Sequence, residues 1–329
     1  MYISVQYLRA FAAILVLLTH TAFKLETHSD NIIDWFNIGT YGVDLFFIIS
    51  GFIMCLTVER KTLNFSTFMK ARFVRILPLY WLLTTVALVI FLVKPSLVNS
   101  SGGVTSVWGS YSLIPNGDRF LISNGWTLSY EFFFYLIFSS FLFLGKLQKI
   151  LTSFSIVFLS VVGLLVVTTN PYFEFVTSSL LLEFVMGILC YEVIKRKIIN
   201  KKVAVLLILF ALLLLIFFNN HGPVDSPLGS SLHAGLPMMM LFLGFVSLES
   251  VIPKNKIIYE LGMASYSLYL LHPFVLSFVT VVIKALGLSD MPFIYMSAML
   301  IGSCISGWLC YQIVELGLDK KIKAIINKQ

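Results

Sequence analysis

Arg9 and His20 lie in the first apolar segment of the chain, LRAFAAILVLLTH, where ionisable side chains are unexpected. In a helix, a separation of eleven residues amounts to about three turns and 20°, so both side chains share one face, roughly 16 Å apart along the axis. A snorkelling arginine and an interfacial histidine would explain the pair structurally. Because an ionisable residue inside a membrane segment is costly and usually functional, we predict that His20 is a general base.

Two acidic residues are candidates to orient that histidine. Asp44 lies in GVDLFFIISGF, and Glu131 lies within the aromatic block GWTLSYEFFFY. A carboxylate that accepts a hydrogen bond from an imidazole holds the ring and stabilises its charged form. We therefore predict a catalytic group of His20, Asp44 and Glu131. The sequence leaves open which carboxylate contacts His20, and Asp44 is also explained as a simple helix-end charge.

A pair of arginines, Arg72 and Arg75, precedes a proline in RFVRILPLYW. Two guanidinium groups three residues apart share a helix face and suit the bidentate binding of phosphates. Arginines at the cytoplasmic end of a membrane span are also an ordinary feature of topology. We predict that Arg72 and Arg75, together with Arg9, bind the phosphates of a substrate.

Aromatic and polar side chains in two further motifs are candidates to bind a saccharide. The first motif, GWTLSYEFFFY, contains Trp126, Tyr130 and Tyr135; the second, SYSLYLLHP, contains Tyr269 and His272. Aromatic faces bind sugars, but residues of this kind also form belts at membrane interfaces. In the second motif the polar residues share a helix face, which is also expected of a polar seam between helices.

Composition places the chain in a membrane. Of its 329 residues, 58% are hydrophobic and 12% are charged, and its mean hydropathy is +0.93. A soluble domain has about 25% charged residues. The net charge of +7 comes from loops between apolar segments, which favours membrane topology over nucleic-acid binding. The four cysteines lie in apolar segments without metal-ligand spacing, so we predict no metal site.

The apolar segments predict an all-α polytopic protein with about ten transmembrane helices, because the bilayer requires internally satisfied backbones and about 20 residues per span. Lysines and arginines concentrate in the loops after even-numbered spans and in the C-terminal tail, which predicts that both termini are cytoplasmic. We predict one membrane-embedded domain over residues 1–329 and no soluble appended domain. The predicted spans are about 5–23, 39–58, 76–94, 126–145, 150–168, 175–194, 203–219, 233–249, 262–285 and 293–314.

In order along the chain, these motifs resemble the acyltransferase-3 family of integral membrane acyltransferases. The resemblance includes Arg9 and His20 with ten residues between them, FFIISGF, the paired arginines, GWTLSYEFFFY and SYSLYLLH. The opening segment and GWTLSYEFFFY look most like bacterial exopolysaccharide and lipopolysaccharide O-acetyltransferases. One departure is YQIVELGLDKK, which lacks the proline that commonly follows the glutamate, so we assign Glu315 no role. Another is the missing SGNH-type hydrolase domain that some relatives carry.

The resemblance implies transfer of an acyl group, usually acetyl, from an acyl-CoA to a hydroxyl of a cell-surface or lipid-linked saccharide. Acetyl-CoA would be a substrate, and we expect no permanently bound cofactor. It also implies essential roles for Arg9, His20 and the paired arginines. We expect a multi-pass protein of the bacterial inner membrane whose partners are acyl-CoA, a glycan acceptor and the bilayer. Direct transfer and an acetyl-histidine intermediate are both open, as are acetyl, succinyl and longer acyl groups.

Two other function classes fit the buried charges. A transporter or flippase for a lipid-linked sugar or small anion would also carry ionisable residues within its spans. A non-catalytic assembly subunit for polysaccharide export would tolerate replacement of His20. Labelled acetyl-CoA separates these classes, because an acyltransferase moves the label into glycan whereas a transporter moves an intact solute.

Overall fold

The computed structural model describes residues 2–30, 32–61, 63–98, 102–221, 228–229 and 231–326. The all-α prediction is confirmed: these ranges contain helices, an isolated bridge between Thr105 and Arg119, and no β-strand. The α-helices, numbered in chain order, are α1 Ile3–His28, α2 Tyr41–Arg60, α3 Phe65–Val93, α4 Pro95–Val98, α5 Val107–Ser112, α6 Gly125–Ser140, α7 Gln148–Leu165, α8 Pro171–Val176, α9 Leu182–Lys195, α10 Lys201–His221, α11 Leu236–Ser247, α12 Lys256–Met263, α13 Ser265–Ala285, α14 Pro292–Cys310 and α15 Leu316–Ile326. Short 3₁₀ turns occupy Ile38–Thr40, Leu142–Leu147 and Ser179–Leu181, and π-helical turns occupy Ser231–Gly235 and Tyr311–Glu315.

Among the described residues, eight helical segments are long and apolar enough to cross a bilayer, so the prediction of a multi-pass membrane protein is confirmed. Two predicted spans, 126–145 and 233–249, correspond to shorter helices. The first is the 16-residue α6, and the second is a π-helical turn of five residues followed by the twelve of α11. Helices of this length rise about 25 Å, less than the roughly 30 Å of a typical hydrocarbon core. The count of ten spans and the cytoplasmic termini remain predictions.

Helix α3 begins well before the predicted span at 76–94. The side chain of Asn64 accepts a hydrogen bond from the backbone N–H of Thr67, and the Thr67 hydroxyl lies 3.1 Å from the Asn64 backbone nitrogen. This reciprocal capping satisfies two of the backbone donors that a helix start leaves without partners. The helix therefore starts at Phe65, and Arg72 and Arg75 lie inside it rather than in a loop that precedes it.

Internal contacts divide the chain into two compact units. The first consists of Met1–Met54 and Glu183–Tyr311, and the second of Cys55–Leu182 and Gln312–Gln329. The prediction of a single domain over the whole chain stays a prediction.

The first unit is built on close helix contacts at glycines. A Cβ atom at Gly51 would lie 2.2 Å from the carbonyl oxygen of Phe184, and one at Gly262 would lie 2.0 Å from that of Gln6. Small residues allow such approach, and they are enriched where membrane helices pack because lipid offers no hydrophobic drive between helices. The α1, α13 and α14 helices share an apolar core formed by Leu17, Leu25, Leu276, Ile283, Tyr295 and Met299.

The start of α1 is fixed by a carboxylate. Glu249, beyond the end of α11, accepts hydrogen bonds from the backbone N–H groups of Ile3 at 2.7 Å and Ser4 at 2.8 Å. Negative charge at a helix N-terminus complements the helix dipole and satisfies the free donors there. This contact sets the axial position of α1 and therefore of every candidate side chain on it.

The second unit packs α6 against α3 through aromatic rings. The ring of Phe68 lies 5.6 Å from that of Phe138 and 6.0 Å from that of Tyr135. The Tyr80 hydroxyl donates a 2.6 Å hydrogen bond to the backbone oxygen of Ser110 in α5, which ties the 102–124 segment to α3. Of the predicted outward loop at 95–125, residues 99–101 lie outside the described residues.

Candidate active site

The first unit brings two histidines together that are 252 residues apart in the chain. Nε2 of His272 lies 3.4 Å from Nδ1 of His20, and the ring centroids are 4.9 Å apart. His272 is 2% exposed, while His20 is partly exposed. The candidate base therefore has a deeply buried imidazole as its neighbour, while its own side chain is partly exposed at the protein surface.

Backbone carbonyls fix where the protons of the two neutral rings must lie. Nδ1 of His20 is 2.9 Å from the carbonyl oxygen of Val16, and Nδ1 of His272 is 3.2 Å from that of Leu268. A carbonyl oxygen can only accept, and a neutral imidazole has one N–H. Each Nδ1 is therefore the donor, and each Nε2 carries a lone pair.

The tautomers give the two rings different roles. The Nδ1–H of His20 is shared between the oxygen of Val16 and the Nε2 lone pair of His272. The Nε2 of His20 is then the nitrogen that can take up a proton. His272 therefore holds His20 in the tautomer whose Nε2 can accept a proton, and it stabilises the imidazolium that forms. In catalytic triads a carboxylate has this role.

Pro273 shapes the helix around His272. Because proline has no N–H, Pro273 does not donate the helical hydrogen bond to the backbone carbonyl of Tyr269 four residues earlier in α13. The Tyr269 ring lies 6.1 Å from that of His272 and 5.7 Å from that of Phe46 on α2. The predicted saccharide-binding residues Tyr269 and His272 are thus adjacent and buried, and the structure places His272 against the predicted base.

Asp44 is buried, with 5% of its surface exposed, in the first turn of α2. On that helix Gly42 faces α1, where a Cβ would meet the Ala12 oxygen, and Gly51 faces α9. Asp44 follows Gly42 by two residues, which is a rotation of about 200° around the helix axis. It precedes Gly51 by seven residues, which brings the two side chains within about 20° of each other. It therefore lies on the side of α2 that α9 covers.

The described contacts of His20 thus differ from the predicted ones. Among the described residues of the first unit, its hydrogen-bonding neighbours are Val16 and His272, and no carboxylate is among them. The physical reason is the angular position of Asp44 on its helix. A catalytic role for Asp44 stays a prediction.

Arg9 occupies the other end of the candidate site on α1. Its Nη1 lies 3.4 Å from Oε1 of Gln6, a residue that is fully buried against Gly262. The side chain of Arg9 is itself partly exposed. About 16 Å of continuous helix separates it from His20, as the spacing predicts.

The second unit holds the paired arginines in two different environments. Arg75 forms an ion pair with Glu315, whose side chain is 3% exposed. Arg72 lies over the ring of Phe68, with Cζ 5.6 Å from the centroid. Its buried Nε makes no hydrogen bond with any residue that the structure describes. Among the described residues, Arg72 is therefore the arginine of this pair that makes no ion pair, and its Nε has no hydrogen-bond partner.

Glu131 and the aromatic residues around it lie along α6. The hydroxyl of Tyr135 donates a hydrogen bond to the Glu131 carboxylate one turn away, and Tyr135 is 2% exposed. Trp126 is 40% exposed and its ring lies 5.9 Å from that of Tyr130. Tyr130 in turn packs on Phe175 at 4.7 Å. Trp126, Tyr130 and Phe175 therefore form a line of packed rings in which Trp126 is exposed, and saccharide binding at these rings stays a prediction.

Sequence reasoning missed two of these pairings. It assigned Glu315 no role, whereas the structure makes it the partner of Arg75. It gave His20 and His272 separate roles, whereas they are in contact. The one sequence signal for the second pairing is that both histidines sit in apolar helices, where an imidazole needs a polar neighbour.

Comparisons with known proteins bear on the identity of the chain as a whole. A family model described as an acyltransferase domain matches residues 2–312. The chain is 32% identical over 321 residues to the exopolysaccharide production protein ExoZ of Rhizobium meliloti (strain 1021), an alignment that covers 94% of this chain and 96% of that protein. No solved structure matches. Because the family match includes nearly all of the chain, the chain belongs to the acyltransferase-3 family of integral membrane acyltransferases.

Proposed function

We propose that the protein transfers an acyl group from an acyl-CoA to a hydroxyl of an exopolysaccharide or its lipid-linked precursor. We take the acyl group to be acetyl and His20 to be the general base. Family membership supports acyl transfer, and the name of the similar Rhizobium protein supports an exopolysaccharide as the acceptor. The observation that carries the proposal is the His20–His272 contact, which leaves the Nε2 lone pair of His20 available.

The reaction needs one base and no covalent intermediate. Nε2 of His20 takes the proton of the acceptor hydroxyl while its oxygen attacks the thioester carbonyl. The tetrahedral intermediate then collapses, the carbon–sulfur bond breaks, and the imidazolium returns the proton to the CoA thiolate. During the charged interval the Nδ1–H of His20 bonds to Val16 and His272, and hydrogen bonds to a charged group are stronger than those to a neutral one.

The donor carries phosphates, which require cations. Arg72 fits this role because its guanidinium lies over the ring of Phe68 and its Nε has no hydrogen-bond partner among the described residues. Arg9 is a second candidate in the first unit. Arg75 forms an ion pair with Glu315, so we assign it chiefly to holding α3 against the segment that contains Glu315. Its remaining N–H groups can still donate to a phosphate.

The acceptor requires an apolar and aromatic surface with a polar edge. Trp126 and Tyr130 provide aromatic rings on α6 that pack edge to face, and we assign the exposed ring of Trp126 to packing against a sugar face. Glu131 lies about 140° around α6 from Trp126; we assign its carboxylate, which accepts a hydrogen bond from Tyr135, as a hydrogen-bond acceptor for sugar hydroxyls. On the predicted topology, the acyl-CoA arrives from the cytoplasm and the saccharide from the opposite side of a bacterial inner membrane.

The deciding experiment replaces His20 and a matched histidine. Like His20, His221 has Nδ1 2.9 Å from the carbonyl oxygen four residues earlier, but it is exposed and packs on Phe217. We expect His20→Ala to abolish transfer of label from acetyl-CoA into glycan and His221→Ala to retain it, with equal amounts of folded protein in the membrane. Full activity of His20→Ala would refute the mechanism.

A second arm tests the donor site. We expect Arg72→Met to raise the KM for acetyl-CoA by roughly tenfold or more, the cost of one charge-assisted hydrogen bond. Lys70→Met, an exposed cation on the same helix, is the control and should leave that KM unchanged. If wild-type protein moved an intact solute across a vesicle membrane and transferred no label, the transporter class would replace the acyltransferase.

A further inference from the structure

Three basic side chains converge where α1 and α13 end. Nζ of Lys284 lies 3.2 Å from Nδ1 of His28, and Lys24 lies one turn before His28, about 40° away around α1. His28 is in the last turn of α1 and Lys284 in the last turn of α13. Lys24 and His28 are partly buried, while Lys284 is exposed. We call Lys24, His28 and Lys284 the basic cluster.

The basic cluster has no counter-charge of its own. Within the part of the chain that the structure describes, neither lysine forms an ion pair with a carboxylate. Helix dipoles favour a cation at each helix end taken separately, but they do not explain why cations from two helices are brought together. Like charges held close lower the stability of a fold unless something neutralises them.

The cluster is aligned with the candidate base. Lys24 follows His20 by four residues and His28 follows it by eight, which are rotations of about 40° and 80° and rises of about 6 and 12 Å. Arg9 lies in the opposite direction along the same helix. On the predicted topology the cluster is on the non-cytoplasmic side, where loops carry almost no lysine or arginine and where positive charge runs against the general rule.

We propose that the basic cluster binds an anionic group, a carboxylate or a phosphate, of the acceptor, so that the acceptor is an acidic saccharide whose reactive hydroxyl is presented to His20. This inference rests on the proposed function and adds the charge of the acceptor to it. Lysine is a compact point charge suited to either anion. A sugar whose anionic group sits on Lys24 would place a neighbouring ring about one helical turn away, within reach of His20.

An anionic lipid headgroup has the same chemistry, and the experiment must separate it from the saccharide. We favour the saccharide because Lys24 is partly buried and one turn from His20, whereas a headgroup site has no reason to align with the base. The wild-type protein is therefore assayed in vesicles of phosphatidylcholine alone and in vesicles that also contain phosphatidylglycerol.

The test compares charge-removing and charge-keeping substitutions. The acceptor is exopolysaccharide from the source bacterium after alkaline removal of its acyl groups, used as such and after its carboxyl groups have been reduced to alcohols. We expect the double variant Lys24→Met/Lys284→Met to raise the acceptor KM by roughly 10- to 100-fold, about tenfold per lost charged contact. Its kcat and its KM for acetyl-CoA should stay within about twofold of wild type. Lys24→Arg/Lys284→Arg should retain the wild-type KM.

Several outcomes decide the matter. A reduced polymer that also carries no phosphate should show a high KM with wild-type protein and no further rise with the double variant, and Lys94→Met, an exposed cation at the end of α3, should change nothing. An unchanged acceptor KM in the double variant overturns the inference, as does an effect that appears only with phosphatidylglycerol present or a native polymer that contains neither carboxylate nor phosphate. If wild-type protein binds the acidic polymer through the two lysines but transfers no acyl group, the proposed function fails and the anion site stands.

Discussion

His272 provides the sharpest test of how the base works, because its two predicted roles have different kinetic signatures. As the acceptor for the Nδ1–H of His20 it stabilises the charged form of that ring more than the neutral form, so its loss should lower kcat. As a residue that binds the saccharide, which the sequence predicts, its loss should raise the acceptor KM. The contact distance of 3.4 Å between the two nitrogens favours the first role.

The magnitude follows from that contact. A hydrogen bond to a charged group contributes about 1.5–3 kcal/mol, which corresponds to about 10- to 150-fold in rate. The bond is longer than the usual 2.7–3.2 Å in the ground state, and Val16 retains its share of the same N–H. We therefore expect His272→Leu to lower kcat by roughly 10- to 30-fold, near the weak end of that range, and to change the KM for either substrate by less than about twofold.

The matched variant is His272→Gln, whose amide oxygen can still accept a hydrogen bond from His20. We expect it to recover most of the lost kcat, whereas leucine, of similar volume and without an acceptor, does not. Steady-state transfer of label from acetyl-CoA is measured for both, with thermal unfolding in detergent as a check on folding. Equal losses of kcat in the two variants, or a raised acceptor KM at unchanged kcat, would refute the reasoning.

Two further predictions concern the scaffold. Replacing Arg75 with methionine leaves the buried Glu315 carboxylate without its partner, so we expect a loss of about 3 kcal/mol in the free energy of unfolding, largely recovered in Arg75→Met/Glu315→Leu. Arg196→Met, which breaks the exposed pair with Glu192 at 3.7 Å, should lose less than about 1 kcal/mol; equal losses in the two single variants would contradict this. Gly51→Ala should lower the midpoint of thermal unfolding because its Cβ meets the Phe184 oxygen, whereas Gly302→Ala should not, since its nearest neighbours are valine methyls at 3.7 and 3.8 Å. Similar midpoints would show that the first unit tolerates wider helix separation than its packing indicates.

Properties of the site that depend on one helix could be predicted from the sequence. The common face of Arg9 and His20 follows from the residue count and the helical period alone, and apolar blocks predict the helices themselves. The start of α3 was harder to predict, because positive charge before an apolar block is typical of a loop. Its Asn64–Thr67 capping pair is the local signal that extends the helix through the arginines.

Pairings between distant segments could not be predicted in this way. The His20–His272 contact and the Arg75–Glu315 ion pair join residues separated by 252 and 240 positions, and neither the hydrophobic period nor a motif specifies which helices become neighbours. The sequence alone therefore predicted that His20 needs a polar partner, and it offered the carboxylates of Asp44 and Glu131 as candidates. The angular position of Asp44 on α2, which directs it towards α9, depends on the glycine contacts of that helix and appears only once the helices are assembled.

The axial order of the candidate groups is determined by α1. Glu249 holds its first turn through Ile3 and Ser4, and at its other end the Ser29 hydroxyl donates to the backbone oxygen of Ser289. A helix fixed at both ends cannot slide along its axis, and a one-residue change in register would rotate every side chain by about 100°. The phosphate-binding candidate Arg9, the base His20 and Lys24 of the basic cluster therefore keep their spacing along one rigid element. If Arg9 binds the donor phosphate, His20 is the base and Lys24 binds the acceptor anion, the three substrate groups must lie in that same order along α1. The distances between these groups in the bound substrates are then determined by the rise of one helix.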